Sequence, residues 1–114
     1  MTQDRLRPDR FLPLPPVWLD ILLALCAGAQ HGYSVMREVT RAADTTLHPG
    51  TLYRALARLL ESELIVEVDD HPRDGHDERR RYYRVTDLGR VVARAETARL
   101  ERVLARAHAV NLFT

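Results

Sequence analysis

Two short runs with strand character, Leu64-Ile65-Val66-Glu67-Val68 and Arg81-Tyr82-Tyr83-Arg84-Val85, flank a polar stretch from Asp69 to Arg80. The stretch holds an Asp74-Gly75 turn signal. β-branched and aromatic residues with partial alternation mark the two runs as strands of a hairpin with a long charged loop. A lone two-stranded hairpin is marginal in water. This one must lean on other elements, and Val66, Val68, Tyr83 and Val85 are expected to face them. The rest of the chain must therefore supply helices.

It does so in order. Pro15 and Pro16 suit the first turn of a helix, where a missing N–H costs nothing. The run Val17 to Ala27 is apolar almost all round, as in a buried helix, and Gly28 can end it. Cys26 falls inside this run and reads as an inert buried thiol. His31-Gly32 turns into a second helix, where Val35, Met36, Val39 and Ala42 share one face. Ala43 to Thr46 breaks that pattern. A third helix starts near Pro49, with Leu52, Leu56, Leu59 and Leu60 as its buried stripe. Its other face shows Thr51, Arg54, Ala55 and Arg58, with Tyr53 at the border.

Thr86 is a good N-cap for a last helix. Leu88, Val91, Val92 and Ala95, then Leu100, Val103, Leu104, Ala107 and Val110, form its apolar stripe. The helix runs for about twenty residues, longer than the small remaining body can cover. A stripe with nothing in its own chain to bury it calls for a partner, and a second copy is the simplest one. Val92, Leu100, Val103 and Leu104 are the expected dimerisation residues. Residues 1–13 read as a flexible polar arm, 14–85 as the compact domain and 86–114 as the dimerisation helix.

Composition excludes several classes. With 114 residues the chain is one domain, and 46% apolar with 29% charged residues is ordinary for a globular one. No segment reaches the roughly 20 apolar residues of a membrane span. The N-terminal stretch lacks a signal-peptide core. One cysteine excludes an internal disulfide framework and fits a reducing cytoplasm, so a cytoplasmic protein is expected. Net charge is only +1, although all 17 cationic residues are arginine. Arginine's planar fork suits phosphates and guanine edges, so the distribution of charge matters more than its sum. No metal is expected: His71 and His76-Asp77 lack ligand spacing. Neither catalysis nor a cofactor is expected, because Ser34 and Ser62 have no organised base and no glycine-rich phosphate loop is present.

Helix, helix, helix, hairpin, long helix is the order of a winged helix-turn-helix, an α+β and mostly helical fold with a two-stranded wing. The local sequence goes further. His31-Gly32-Tyr33, then His48-Pro49-Gly50-Thr51-Leu52-Tyr53-Arg54-Ala55-Leu56, then Leu64-Ile65, then Arg80 to Gly89 resembles the PadR family of bacterial transcriptional regulators over about residues 17–100. The short C-terminal part is similar to the subfamily with a single dimerisation helix. The resemblance implies a homodimeric repressor that binds a palindromic double-stranded DNA operator and is released by a small, often aromatic, effector. Two positions depart from the pattern. Glu63 stands where glycine usually precedes the first wing strand, and His48 stands at the cap position where serine is more usual. Neither departure removes a DNA-contacting group.

If the third helix reads DNA, its N-terminal residues reach base edges while their neighbours grip the backbone. Arg54 is the expected base contact, and Thr51 and Tyr53 the expected phosphate contacts, with Tyr33 beside them. Arg79 and Arg80, at the base of the second strand, are expected to touch phosphate or the minor groove, although the wing's acids could pair with them instead. Trp18 is either core or interface packing, or the lining of an effector pocket. The rival reading is a winged-helix protein-interaction module that does not read DNA; the near-neutral charge and acidic wing speak for it, but the pairing of an arginine-bearing third helix with a long dimerisation helix speaks more strongly for the repressor.

Overall fold

The computed structural model describes residues 7–43, 47–68 and 81–114. Within them the elements run α1 (Pro16–Cys26), β1 (Gln30–His31), α2 (Gly32–Ala43), α3 (Pro49–Glu61), β2 (Ile65–Val68), β3 (Tyr82–Val85) and α4 (Asp87–Ala109), preceded by a 3-10 turn at Pro8–Phe11. The strands form one antiparallel sheet in the order β1-β3-β2. This is the expected winged helix-turn-helix order, with one strand more than the sequence showed.

The core forms where the three helical stripes meet the sheet. Ile21, Leu22 and Leu25 of α1, Val35 and Val39 of α2, and Leu52, Leu56 and Leu59 of α3 are all buried, together with Leu64, Ile65, Tyr83 and Val85. α1 is less uniform than its composition implied. Leu23 is 48% exposed, and Cys26 is half-buried rather than enclosed. The added strand β1 pairs Gln30 with Tyr83 and His31 with Tyr82. The Gln30 side-chain amide donates to the Ala24 carbonyl at 2.8 Å and to Glu38 at 3.3 Å, tying α1, β1 and α2 together.

The hairpin register corrects one expectation. Ile65 lies opposite Val85 and Glu67 opposite Tyr83, so these four share a face, because side chains alternate along a strand. Val66 and Val68 lie on the other face with Arg84 and Tyr82, and both are only half-buried. The core-facing set is Ile65, Tyr83 and Val85.

Two joints fix the body to α4. α3 ends in a Schellman turn, in which Glu63 N–H donates to Leu60 O and Leu64 N–H to Leu59 O, both at 3.0 Å. Glu63 takes φ +63° there, the left-handed conformation usually left to glycine. Thr86 then caps α4 by accepting from Gly89 N–H at 2.9 Å, and its hydroxyl donates to Glu63 O at 2.8 Å. Gly89 is required at this point, since a Cβ would strike the Leu64 carbonyl and lie 2.7 Å from Val85 Cγ2.

The segment before α1 is more ordered than an arm. Phe11 and Leu12 pack on the core and Leu14 is buried. Leu14 N–H donates to Glu96 on α4 at 3.2 Å. Glu96 is 2% exposed, and Arg99 grips it with two bonds of 2.7 and 3.0 Å. That guanidinium holds the Glu96 carboxyl below its ordinary pKa. Of the expected 1–13 arm, Pro8 onward is thus folded against the body, while residues 1–6 lie outside the described part.

Candidate nucleic-acid interface

The third helix builds its surface from its first turn. His48 is the N-cap but makes no side-chain cap bond, Pro49 follows at N1, and the first turn carries no acid. Such an end leaves backbone N–H groups and the positive pole of the helix free to meet an anion. Thr51 is partly exposed there, and Tyr53, Arg54 and Arg58 are exposed. Arg54 folds back along the helix, with Nη1 3.8 Å from the place a Cβ on Gly50 would occupy.

Tyr33 and Tyr53, 20 positions apart in the sequence, come to the same place. Both line a cleft of about 470 Å³ walled by Gly32, Leu56, Ala57, Leu60, Glu67, Arg81 and Tyr83. Gly32 lies against both rings: a Cβ there would meet the Tyr83 ring at 3.6 Å and the Tyr53 ring at 3.7 Å, ordinary contact distances. At the rim, Arg81 pairs with Glu67 at 2.7 Å. That pairing raises the Arg81 pKa. Burial, with the Glu67 charge second, raises that of the Tyr83 phenol, so Tyr83 stays a neutral donor at neutral pH. His31 supports the Tyr33 side. Its Nδ1 accepts from Ser34 N–H at 3.2 Å, and its ring stacks on Tyr33 at 6.3 Å and meets Tyr82 edge-on at 5.5 Å.

Tyr33 and Tyr53 therefore share one cleft, while Thr51 and Arg54 stand at the start of the helix that carries Tyr53. Arg79 and Arg80 lie outside the described residues. Sequence reasoning passed over Glu67 because the face of the first wing strand was misread, and it did not connect Arg81 or Tyr83 with the two tyrosines although the face of Tyr83 was read correctly. It also passed over Arg37, whose guanidinium lies 5.9 Å from the Tyr33 ring centroid. Its i, i+4 spacing from Tyr33 was the available signal.

The expected dimerisation residues divide. Val92 is fully buried within the protomer and cannot serve a partner. Leu100, Val103 and Leu104 are 40%, 38% and 49% exposed. Trp18 is half-buried against the core and does not line the tyrosine cleft. Among the described residues no group of His, Cys, Asp and Glu could hold a metal ion, and no helix is long and apolar enough to cross a membrane.

The family model for PadR-like transcriptional regulators matches residues 21–95. The chain belongs to the PadR-like family. This PadR-like chain is similar to an uncharacterized 37.1 kDa protein in transposon TN4556 of Streptomyces fradiae, 30% identical over 86 residues. That match takes in 75% of the chain but 23% of the relative, so the chain spans about a quarter of that protein's length. Among solved structures, a transcriptional regulator from Clostridium thermocellum is 26% identical with TM-score 0.62, over 86% of this chain and 89% of that one. A PadR-like transcription factor from Bacteroides fragilis shares the fold at TM-score 0.68 and 18% identity, over 96% and 97% of the two chains. A transcriptional regulator from Thermoplasma acidophilum shares it at TM-score 0.66 and 24% identity, over 84% and 88%.

Proposed function

We propose that this chain is a homodimeric transcriptional repressor that reads a palindromic operator with α3 and releases it when a small aromatic molecule binds. One observation carries the reading. α3 begins at an N-terminus with no acid in its first turn and exposes Arg54 and Arg58, neither of which has an ion-pair partner among the described residues. In a chain of net charge only +1, two exposed arginines along α3, with its one acid, Glu61, at the far end, favour an anion at the start of the helix.

In this reading Arg54 contacts a base edge, Thr51, Tyr53 and Tyr33 contact phosphates, and Arg79 and Arg80 act from the wing. Dimerisation uses Leu100, Val103 and Leu104, and two-fold symmetry sets half-sites about one helical turn, roughly 34 Å, apart. The effector binds near Trp18. Because Trp18 is the only tryptophan, its fluorescence reports binding directly.

Fluorescence anisotropy with the protein's own upstream promoter and a scrambled duplex, at two salt concentrations, tests the core of the proposal. Tight, salt-sensitive binding that prefers the native sequence, and that Arg54→Ala weakens without unfolding the protein, is the expected result. Equal weak binding to both duplexes would refute it and favour a protein-interaction module.

A further inference from the structure

The tyrosine cleft does not end the basic face. Tyr33 also borders a second, shallower groove of about 370 Å³, lined by Met36, Arg37, Thr40, Arg41 and Leu47. Tyr33, Arg37 and Arg41 are spaced i, i+4 and i+8, so they form one row along α2, and all three are exposed. Among the described residues neither arginine has an ion-pair partner. Arg37 is instead held over the Tyr33 ring at 5.9 Å, which limits its freedom without neutralising it. Leu47, between α2 and α3, borders the same groove, so the row lies beside the approach to the N-terminus of α3.

Two uncompensated guanidinium groups in line on a fixed helix form an arrangement that costs self-repulsion when nothing binds. At 1.5 Å per residue, Arg37 and Arg41 stand about 6 Å apart along the axis, and the row from Tyr33 covers about 12 Å. One DNA strand presents a phosphate every 3.4 Å of axis, so each arginine can take a phosphate of its own on the same strand. The floor of Met36, Thr40 and Leu47 is without charge and leaves the strand's negative charge unopposed.

We propose that the Tyr33–Arg37–Arg41 edge of α2 is a phosphate-gripping rail that tracks one DNA strand beside the groove entered by α3. The assignment rests on the DNA-binding reading above and adds to it two binding residues outside the recognition helix. The rail carries affinity and register, while sequence choice stays with α3.

The test is the salt dependence of binding by the full chain, followed by anisotropy on the promoter duplex and its scrambled counterpart. The variants are Arg37→Gln, Arg41→Gln, the double variant, and Arg94→Gln as an exposed control on α4. Each phosphate contact contributes about 0.9 to the slope of log affinity against log salt. The double variant should therefore flatten the slope by about 1.8, so that the affinity lost between 50 and 200 mM salt shrinks about 12-fold. Its preference for promoter over scrambled DNA should persist, and its circular dichroism and Arg94→Gln should match the wild type. An unchanged slope in the double variant, while Arg54→Ala still weakens promoter binding, overturns the rail and leaves the DNA reading standing. Absence of salt-dependent binding by the wild type overturns both.

Discussion

Replacing Glu63 by glycine should stabilise the protein by about 1 kcal/mol. Glu63 holds φ +63°, and a residue with a Cβ pays roughly 1–2 kcal/mol in the left-handed region. Glycine pays nothing there, but brings about 0.5–1 kcal/mol of extra chain entropy to the unfolded state. The carboxylate is exposed and makes no described hydrogen bond, so truncation forfeits no contact. It also sits at the negative end of α3, where removing an anion returns about 0.3 kcal/mol or more. The bonds that define the turn, Glu63 N–H to Leu60 O and Thr86 Oγ1 to Glu63 O, use only the backbone of position 63 and survive the change. Urea denaturation of the wild type, Glu63→Gly and Glu63→Ala separates the terms. Alanine removes the charge but keeps the Cβ, so it should recover only the dipole part. A glycine variant no more stable than the alanine variant, at equal m-values, would refute the argument from backbone strain.

Three further outcomes follow from named contacts. Gly89→Ala should cost about 3 kcal/mol, because the added Cβ meets the fixed Leu64 carbonyl rather than a movable side chain; thermal melting reads it directly. Leu104→Asp should give protomer mass by light scattering, whereas Val92→Ala, which opens a void inside the protomer, should lower the melting temperature with the dimer retained. Glu96→Gln should cost about 1 kcal/mol at neutral pH, discounted because Arg99 is 34% exposed. The Glu96 pKa is depressed in the fold, so its contribution is complete above the unfolded carboxyl value of about 4.3 and fades as pH falls below it. A melting series from pH 6 to 3 should show the variant losing less stability than the wild type.

The readable parts of this fold are those whose cause is local. Thr86 caps α4 and the leucines of α3 form its stripe because a cap and a 3.6-residue period need no distant partner. The two-residue β1 has no period of its own; it exists only because Gln30 and His31 meet β3, some 50 positions away. The hairpin face was misread because Leu64-Ile65-Val66 is apolar on both parities, and only pairing with β3 chooses between them. Val92 and Leu100 belong to one stripe in sequence, but the body ends between them. Arg37 and Arg41 look like any solvated charges until the fold sets them along one groove with Tyr33.

The division of α4 bears on how a second copy would be held. The helix is about 34 Å long; its first half is buried through Val92, Ala93 and Glu96, and Leu100, Val103 and Leu104 lie beyond. Complete burial of such a side chain is worth about 1.5–3 kcal/mol. These three begin 38–49% exposed, so each has roughly 1 kcal/mol left to give, or about 6 kcal/mol for two copies. Association costs about 4–15 kcal/mol, so that stripe alone leaves the proposed dimer marginal. Further apolar surface lies on α1, where Leu23 is 48% exposed, and follows the helix, with Val110, Leu112 and Phe113 at 72%, 68% and 63% exposure. Their placement is fixed: Asn111 at φ +61° closes a second Schellman turn, with Asn111 N–H on His108 O and Leu112 N–H on Ala107 O at 3.0 Å each. The His108 and Phe113 rings pack at 4.9 Å. Six such side chains from two copies add about 10 kcal/mol, enough to exceed the cost. The capped C-terminal turn is therefore the largest further contribution that this chain can bring to such an interface, beside the Leu100, Val103 and Leu104 stripe that precedes it.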